Sequence, residues 1–151
     1  MNILVMGAKG MLGKAFMRSS GHNFNIIPAS RDNLDFTNRE ELNAFLDTKK
    51  PEVVINAAAN IDLADCERNT IDSKKINVEF VENLSNWCCN QGSFLVQVST
   101  DHFYNYGNNN PHHENDAVVL LNEYAKQKYA AEKVLEDLSN CLVIRTSILG
   151  Y

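Results

Sequence analysis

The sequence predicts an α/β protein: a doubly wound parallel sheet with helices on both faces. Three observations carry this expectation. Strand-like and helix-like segments alternate five times along the 151 residues. Strand segments such as Glu52 to Asn56 are unalternating apolar runs, as in sheets buried on both sides. A glycine-punctuated turn separates the first strand from the first helix.

Asn2 to Met6 is a short apolar run closed by Gly7, and the pattern through Phe16 and Met17 is helical. Asn23 to Pro28 supplies a second strand. Thr37-Asn38-Arg39-Glu40 fits a capping box opening a helix through Leu42, Phe45 and Leu46, and Pro51 stops what precedes it. Glu52 to Asn56 is the third strand. From Asp72 to Trp87, the residues Ile76, Phe80, Leu84 and Trp87 recur at three- and four-residue steps, a helix with one core-facing stripe that Gly92 ends. Ser93 to Val98 is a fourth strand. The polar tract from Asp101 to Asp116, with Gly107, Asn108-Asn109-Asn110 and Pro111, reads as a long loop, either functional or mobile. A helix from about Asn122 to Leu138 and a strand from Cys141 to Thr146 follow. Gly150 and Tyr151 come directly after that strand, so a shortened domain is expected.

With 44% hydrophobic and 22% charged residues, the chain has the make-up of one globular domain. Lys plus Arg number 14 against 19 Asp plus Glu, a net charge of -5, so no basic field draws a nucleic acid backbone. The apolar stretches fall far short of the ~20 residues of a membrane span. No basic segment precedes an apolar one at the amino end, which leaves the cytoplasm as the expected compartment. Cys66, Cys88, Cys89 and Cys141 show no CxxC spacing and read as reduced, structural thiols. His102, His112, His113 and Glu114 lack the spacing of metal ligands, so no metal site is expected.

Three motifs carry chemistry. Gly7-Ala8-Lys9-Gly10-Met11-Leu12-Gly13 places glycines where a tight bend and close backbone approach to a diphosphate are needed, with the amides of a helix start facing the anion. Such glycines also occur merely to pack helix on strand. Tyr124 and Lys128 stand one helical turn apart. A cation about 4 Å from a phenol is worth up to roughly 4 kcal/mol at an effective dielectric of 20, enough to make Tyr124 an acid near neutrality. Tyr129 and Lys133 repeat the spacing, and a surface Tyr with a solvated Lys is the plain alternative. Ser99-Thr100-Asp101 lies at the carboxyl end of the fourth strand, where ligands of open α/β sheets bind and where a hydroxyl can reach a carbonyl oxygen.

These motifs, with Val54 to Ala59, Cys66-Glu67, Glu132 and Arg145-Thr146-Ser147, occur in the order found in the extended short-chain dehydrogenase/reductases. The chain resembles that family over essentially all its length, and within it the dTDP-4-dehydrorhamnose reductases. The resemblance implies an incomplete NAD(P)-binding Rossmann domain over residues 1–151, with the carboxyl-terminal substrate domain absent. It implies that Thr100 polarises a sugar C4 carbonyl with Asp101 beside it. Tyr124 would donate the proton, and Lys128 would hold the ribose hydroxyls and lower the Tyr124 pKa. Cofactor contacts would come from Gly7, Gly10, Met11, Leu12, Gly13, Ser99, Tyr124 and Lys128, with Asn56, Ala57, Ala58 and Ala59 lining the cleft. Ser30 and Arg31 would select the ribose, Arg31 pairing with a 2′-phosphate, and Asp35 and Phe36 would contact adenine. NADPH is then the expected cofactor, with NADH second.

The implied activity is NADP-preferring reduction of the C4 keto group of a nucleotide-linked 6-deoxy sugar, in nucleotide-sugar and polysaccharide biosynthesis. A nucleotide-sugar epimerase or dehydratase shares every motif. A non-catalytic cofactor-binding subunit, like the relatives that pair with methionine adenosyltransferase, would not need the Thr-Tyr-Lys set. A homodimer through an edge left exposed is a further expectation. Tyr124-Ala125 stands where the family has Tyr-Gly, and His102 to Tyr106 lacks the family's Asp-Gly, a departure that bears on the sugar more than on the cofactor.

Overall fold

The computed structural model describes residues 1–19, 23–104 and 112–147. Strands β1 (Asn2–Met6), β2 (Asn25–Ala29), β3 (Val53–Asn56), β4 (Phe94–Thr100) and β5 (Cys141–Thr146) form one parallel sheet in the order β2-β1-β3-β4-β5. The helices are α1 (Met11–Ser19), α2 (Arg39–Lys49), α3 (Leu63–Arg68), α4 (Thr70–Lys74), α5 (Phe80–Gln91) and α6 (Glu123–Leu135), with a π-helical turn, Lys75–Glu79, joining α4 to α5.

Register divides the side chains between two faces. Leu4, Val54, Leu95 and Cys141 stand side by side across the sheet, as do Val5, Ile55, Val96 and Leu142 on the opposite face. The Leu4 row packs under α2, α5 and α6, where Leu42, Leu46, Phe80, Leu84, Trp87 and Leu135 complete the main core. Full burial of each such side chain contributes about 1.5–3 kcal/mol. Phe36 stacks on Phe80 at 4.8 Å, and the Trp87 indole donates to Asp47 at 2.8 Å. The Val5 face is covered by α1 through Phe16 and Met17, over β1 and its neighbours only. Phe94, Leu142 and Ile144 continue that apolar face and are 39%, 49% and 41% exposed.

The expected doubly wound sheet is present, and several boundaries differ for physical reasons. The cap of α2 is Asn38, one residue beyond the expected Thr37: its side chain accepts from the amides of Glu40 and Glu41, while the Thr37 hydroxyl donates to Asp35 at 2.7 Å. The stripe from Ile76 to Trp87 is interrupted by the π turn, and α3 before it is too short to show periodicity. Strand β4 runs on through Ser99 and Thr100, and α6 stops at Leu135. After β4 a 3-10 turn spans His102–Tyr104. Gly107, Asn108 to Asn110, Pro111, Gly150 and Tyr151 lie outside the described residues. Among the described residues, no helix is long and apolar enough to cross a membrane. The four cysteines are free thiols, and burial pushes Cys88 up to about 12, which makes it unreactive.

Candidate active site

Strand β1 has β2 on one side and β3 on the other, so the chain winds away in both directions and leaves a crevice at their carboxyl ends. Gly7 opens that crevice with φ 77, and a Cβ there would lie 2.8 Å from the Ala57 carbonyl oxygen. Only glycine suits both demands. The Gly10 amide donates to the Gly7 carbonyl at 2.9 Å, tightening the turn ahead of α1. Gly13 takes the packing role open to such glycines: a Cβ would overlap the Gly7 carbonyl, so it packs α1 onto the Gly7–Ala8 turn and is not among the residues lining the crevice.

Two joined pockets run along the strand ends and share Gly10 and Ala57 to Ala59 as a common wall. The outer one, about 250 Å³, is lined by Gly7, Lys9, Ser30, Arg31, Asp32 and Phe36. Lys9 pairs with Asp32 and holds that carboxyl below the usual range. Asp35 is not brought to this pocket: its carboxylate accepts from the Thr37 amide and hydroxyl. Asn56 is likewise behind the wall rather than in it. Its fully buried carboxamide donates to Gln97 at 2.8 Å and accepts from the Ala58 amide at 3.0 Å, bracing the Ala57–Ala59 segment that does line the cleft.

The inner pocket, about 430 Å³, gathers Met11, Leu12, Ser99, Thr100, Asp101, His102, Tyr124 and Lys128. Ser99 Oγ is buried and has no hydrogen-bond partner among the described residues. The Thr100 hydroxyl accepts from the His102 amide at 3.2 Å, and Thr100 and Tyr124 line the same pocket. The His102 ring stands edge-on to Tyr124, with centroids 5.7 Å apart.

Tyr124 sits in the first turn of α6, whose start is fixed twice. Asn122 accepts from the Ala125 amide, and Glu67 reaches across from α3 to accept from the Glu123 amide, each at 2.8 Å. Burial raises the Tyr124 phenol above its ordinary value, and the neighbouring Thr100 hydroxyl opposes the rise. The expected lowering by Lys128 is therefore not what the chain shows: desolvation of the phenolate dominates. Lys128 is 3% exposed, donates to the Val98 carbonyl at 2.7 Å, and is pushed down by burial to about 8, with Glu132 opposing. The competing pair is resolved by position. Lys133 is exposed, pairs with Glu136 at 2.7 Å and lies over the Tyr129 ring, away from the cleft.

Sequence reasoning missed a buried polar bracket behind the site. Asn77, on the π turn, donates to Gln127 at 2.8 Å and to the Asn60 carbonyl at 3.0 Å, and accepts from the Asn60 amide at 2.8 Å. Gln127 donates onward to Ser73 at 2.8 Å. The bracket ties the segment after β3 to the helix carrying Tyr124 and Lys128. Its only signal was a polar residue, Asn77, flanked by Ile76 and Val78 in an otherwise apolar stripe. His102 and His112 lie apart: the first faces Tyr124, while the second stacks on Tyr104 and pairs with Asp116 at 3.4 Å.

This sheet, its glycine turn and the Thr-Tyr-Lys wall define a Rossmann-type domain of the extended short-chain dehydrogenase/reductase class. Within that class the chain belongs to the family described as RmlD substrate binding domain, whose model matches residues 1–150. It is 32% identical over 154 residues to the dTDP-4-dehydrorhamnose reductase of Salmonella typhimurium, covering 97% of this chain and 51% of that protein. The structure of a dTDP-4-dehydrorhamnose reductase from Clostridium acetobutylicum superposes with a TM-score of 0.91 at 34% identity, over 97% of this chain and 53% of that one. Methionine adenosyltransferase 2 subunit beta of Pongo abelii is 28% identical over 97% of the chain and 46% of its own length. The chain spans about half the length of the curated relatives it matches.

Proposed function

We propose that this chain forms the cofactor-binding and catalytic part of an NADPH-preferring reductase of the C4 keto group of a nucleotide-linked 6-deoxy sugar. The observation that carries this reading is the gathering of Thr100, Tyr124 and Lys128 on one wall of a cleft continuous with the Gly7 turn. Similar proteins point the same way. The Salmonella and Clostridium relatives are dTDP-4-dehydrorhamnose reductases, and a Bacillus anthracis reductase of the same fold, TM-score 0.89 at 24% identity, was solved in complex with NADP.

The cleft suits a dinucleotide. Gly7 lets the turn close against the Ala57–Ala58 backbone beside the crevice, the amides at the start of α1 favour a diphosphate, and Ser99 holds a buried hydroxyl unpaired among the described residues. Arg31, exposed on the outer pocket, is the cation for a 2′-phosphate, and Asp32 is neutralised by Lys9. NADPH is therefore the preferred cofactor and NADH the second.

When bound, the cofactor supplies the hydride. Thr100 donates a hydrogen bond to the C4 carbonyl oxygen and draws charge onto it. Tyr124, a phenol protonated at neutral pH and raised further above its ordinary value by burial, gives its proton to that oxygen as the alcohol forms. The Lys128 ammonium orients the ribose, and Asp101 borders the sugar side of the cleft. The test is NADPH oxidation with a dTDP-4-keto-6-deoxy sugar. Tyr124→Phe removes turnover by about 100-fold or more while leaving cofactor affinity intact. An unchanged biological role for Tyr124→Phe would favour a binding subunit, and tightly retained NAD after purification would favour an epimerase.

A further inference from the structure

We infer that Arg145 is a positioning residue: it holds the Asp101–His102 wall of the cleft in place by bridging α6 to the segments flanking residues 105–111. Only the wall's part in facing a sugar rests on the proposed reductase activity.

Arg145 stands on β5 beside Ser99. Its Nε donates to both carboxylate oxygens of Glu132 at 3.1 Å, and its Nη2 donates to one of them at 2.7 Å. Glu132 lies one turn beyond Lys128 on α6, so this fork grips the catalytic helix. The remaining arm, Nη1, donates to the Tyr104 hydroxyl and to the Glu114 carbonyl, the latter at 2.9 Å. The guanidinium also lies over two rings, with Cζ 5.1 Å from the Phe103 centroid and 5.6 Å from that of Tyr104.

Those partners come from both sides of residues 105–111. Tyr104 stacks on His112 at 4.9 Å with ring planes 8° apart, and the Val119 amide donates to the Phe103 carbonyl at 2.9 Å. The turn that Arg145 holds from behind through Phe103 and Tyr104 sets His102 against the Tyr124 ring, their planes 79° apart, and carries Asp101 at the cleft. One guanidinium thus sets the distance between the helix bearing Tyr124 and the turn opposite it. A lysine keeps the charge but has neither the fork nor the plane to bind Glu132, Tyr104 and Glu114 at once while covering Phe103.

The test compares the 151-residue chain with Arg145→Lys and with the gentler Tyr104→Phe. Backbone hydrogen exchange is followed at residues 101–104 and 112–119, and the ring-proton resonances of His102 and His112 by NMR. The expected result for Arg145→Lys is exchange about tenfold or more faster in those segments. Both histidine signals should move towards free-histidine positions, while amides of β1 and β3 and the NADPH dissociation constant stay as in the parent. Tyr104→Phe shows the same pattern at smaller amplitude, and it alone decides if Arg145→Lys does not fold. Unmoved His102 signals and unchanged loop exchange would overturn the inference, as would acceleration spread evenly over the sheet. Failure of the parent chain to bind NADPH would instead strike at the reductase reading, with the histidine signals still deciding the role of Arg145.

Discussion

The Lys128 ammonium donates to the Val98 carbonyl oxygen at 2.7 Å on the floor of the cleft. Burial lowers its pKa from the ordinary 10.5 to about 8, a difference that corresponds to roughly 3 kcal/mol. Between those values the unfolded chain binds the proton that the folded chain has released, so stability rises with pH across that window. The full penalty is present below about pH 8. Lys128→Met is therefore expected to be more stable than the parent at pH 7, by roughly 1–3 kcal/mol after loss of the Val98 hydrogen bond. The advantage should shrink as pH rises from 8 to 10.5. Urea midpoints at pH 7 and pH 10 check this, and a pH-independent loss of stability would count against it.

Tyr124 carries the opposite sign. Its phenol is raised above 10 by burial, so the folded chain keeps a proton that the unfolded chain loses at the ordinary value. The contribution to stability is complete at neutral pH and falls as pH rises through 10 towards the folded value. In a spectrophotometric titration, the difference between the parent and Tyr124→Phe should show one phenolate appearing above pH 10. Its appearance near pH 7 in the cofactor-free chain would show that Lys128 dominates after all.

Ser99 separates stability from binding. Its buried hydroxyl has no partner among the described residues, at an expected penalty of about 1–3 kcal/mol. Ser99→Ala should raise the melting temperature of the cofactor-free chain and weaken NADPH binding by about three- to tenfold. Changes of the same sign in both measurements would remove the hydroxyl from the cofactor site.

The sheet face bearing Phe94, Leu142 and Ile144 is expected to drive self-association. Sedimentation should show concentration-dependent dimers that Leu142→Glu with Ile144→Glu abolishes. A clean monomer at high concentration would contradict this.

How much of this was legible beforehand follows from the range of the interactions. The strands and the Gly7 turn are written in local patterns, β-branched runs and glycine spacing, whereas the phenol–ammonium spacing occurs twice, at Tyr124/Lys128 and Tyr129/Lys133, and the family resemblance, not the spacing, singled out Thr100, Tyr124 and Lys128. What escaped depends on contacts between distant segments. Gly13 and Gly10 look alike in the sequence, and only packing against the Gly7 carbonyl assigns Gly13 to the contact of α1 with the Gly7–Ala8 turn. Asn56 and Asp35 were placed correctly along the chain, yet their side chains turn to Gln97 and Thr37. The Asn77–Gln127 and Arg145–Glu132 pairs join residues whose partners no local spacing announces. Phenol acidity failed to follow from spacing because desolvation depends on how deeply α6 packs.

The most direct test of the central claim is a calorimetric titration of the chain with NADPH and with NADH, repeated for Arg31→Ala. The predicted result is saturable binding of both, with NADPH tighter by about 10–100-fold and that preference lost in Arg31→Ala. Binding of neither nucleotide would contradict the account at its root, since the Gly7 turn, Ser99 and Lys128 would then line a cleft that holds no dinucleotide.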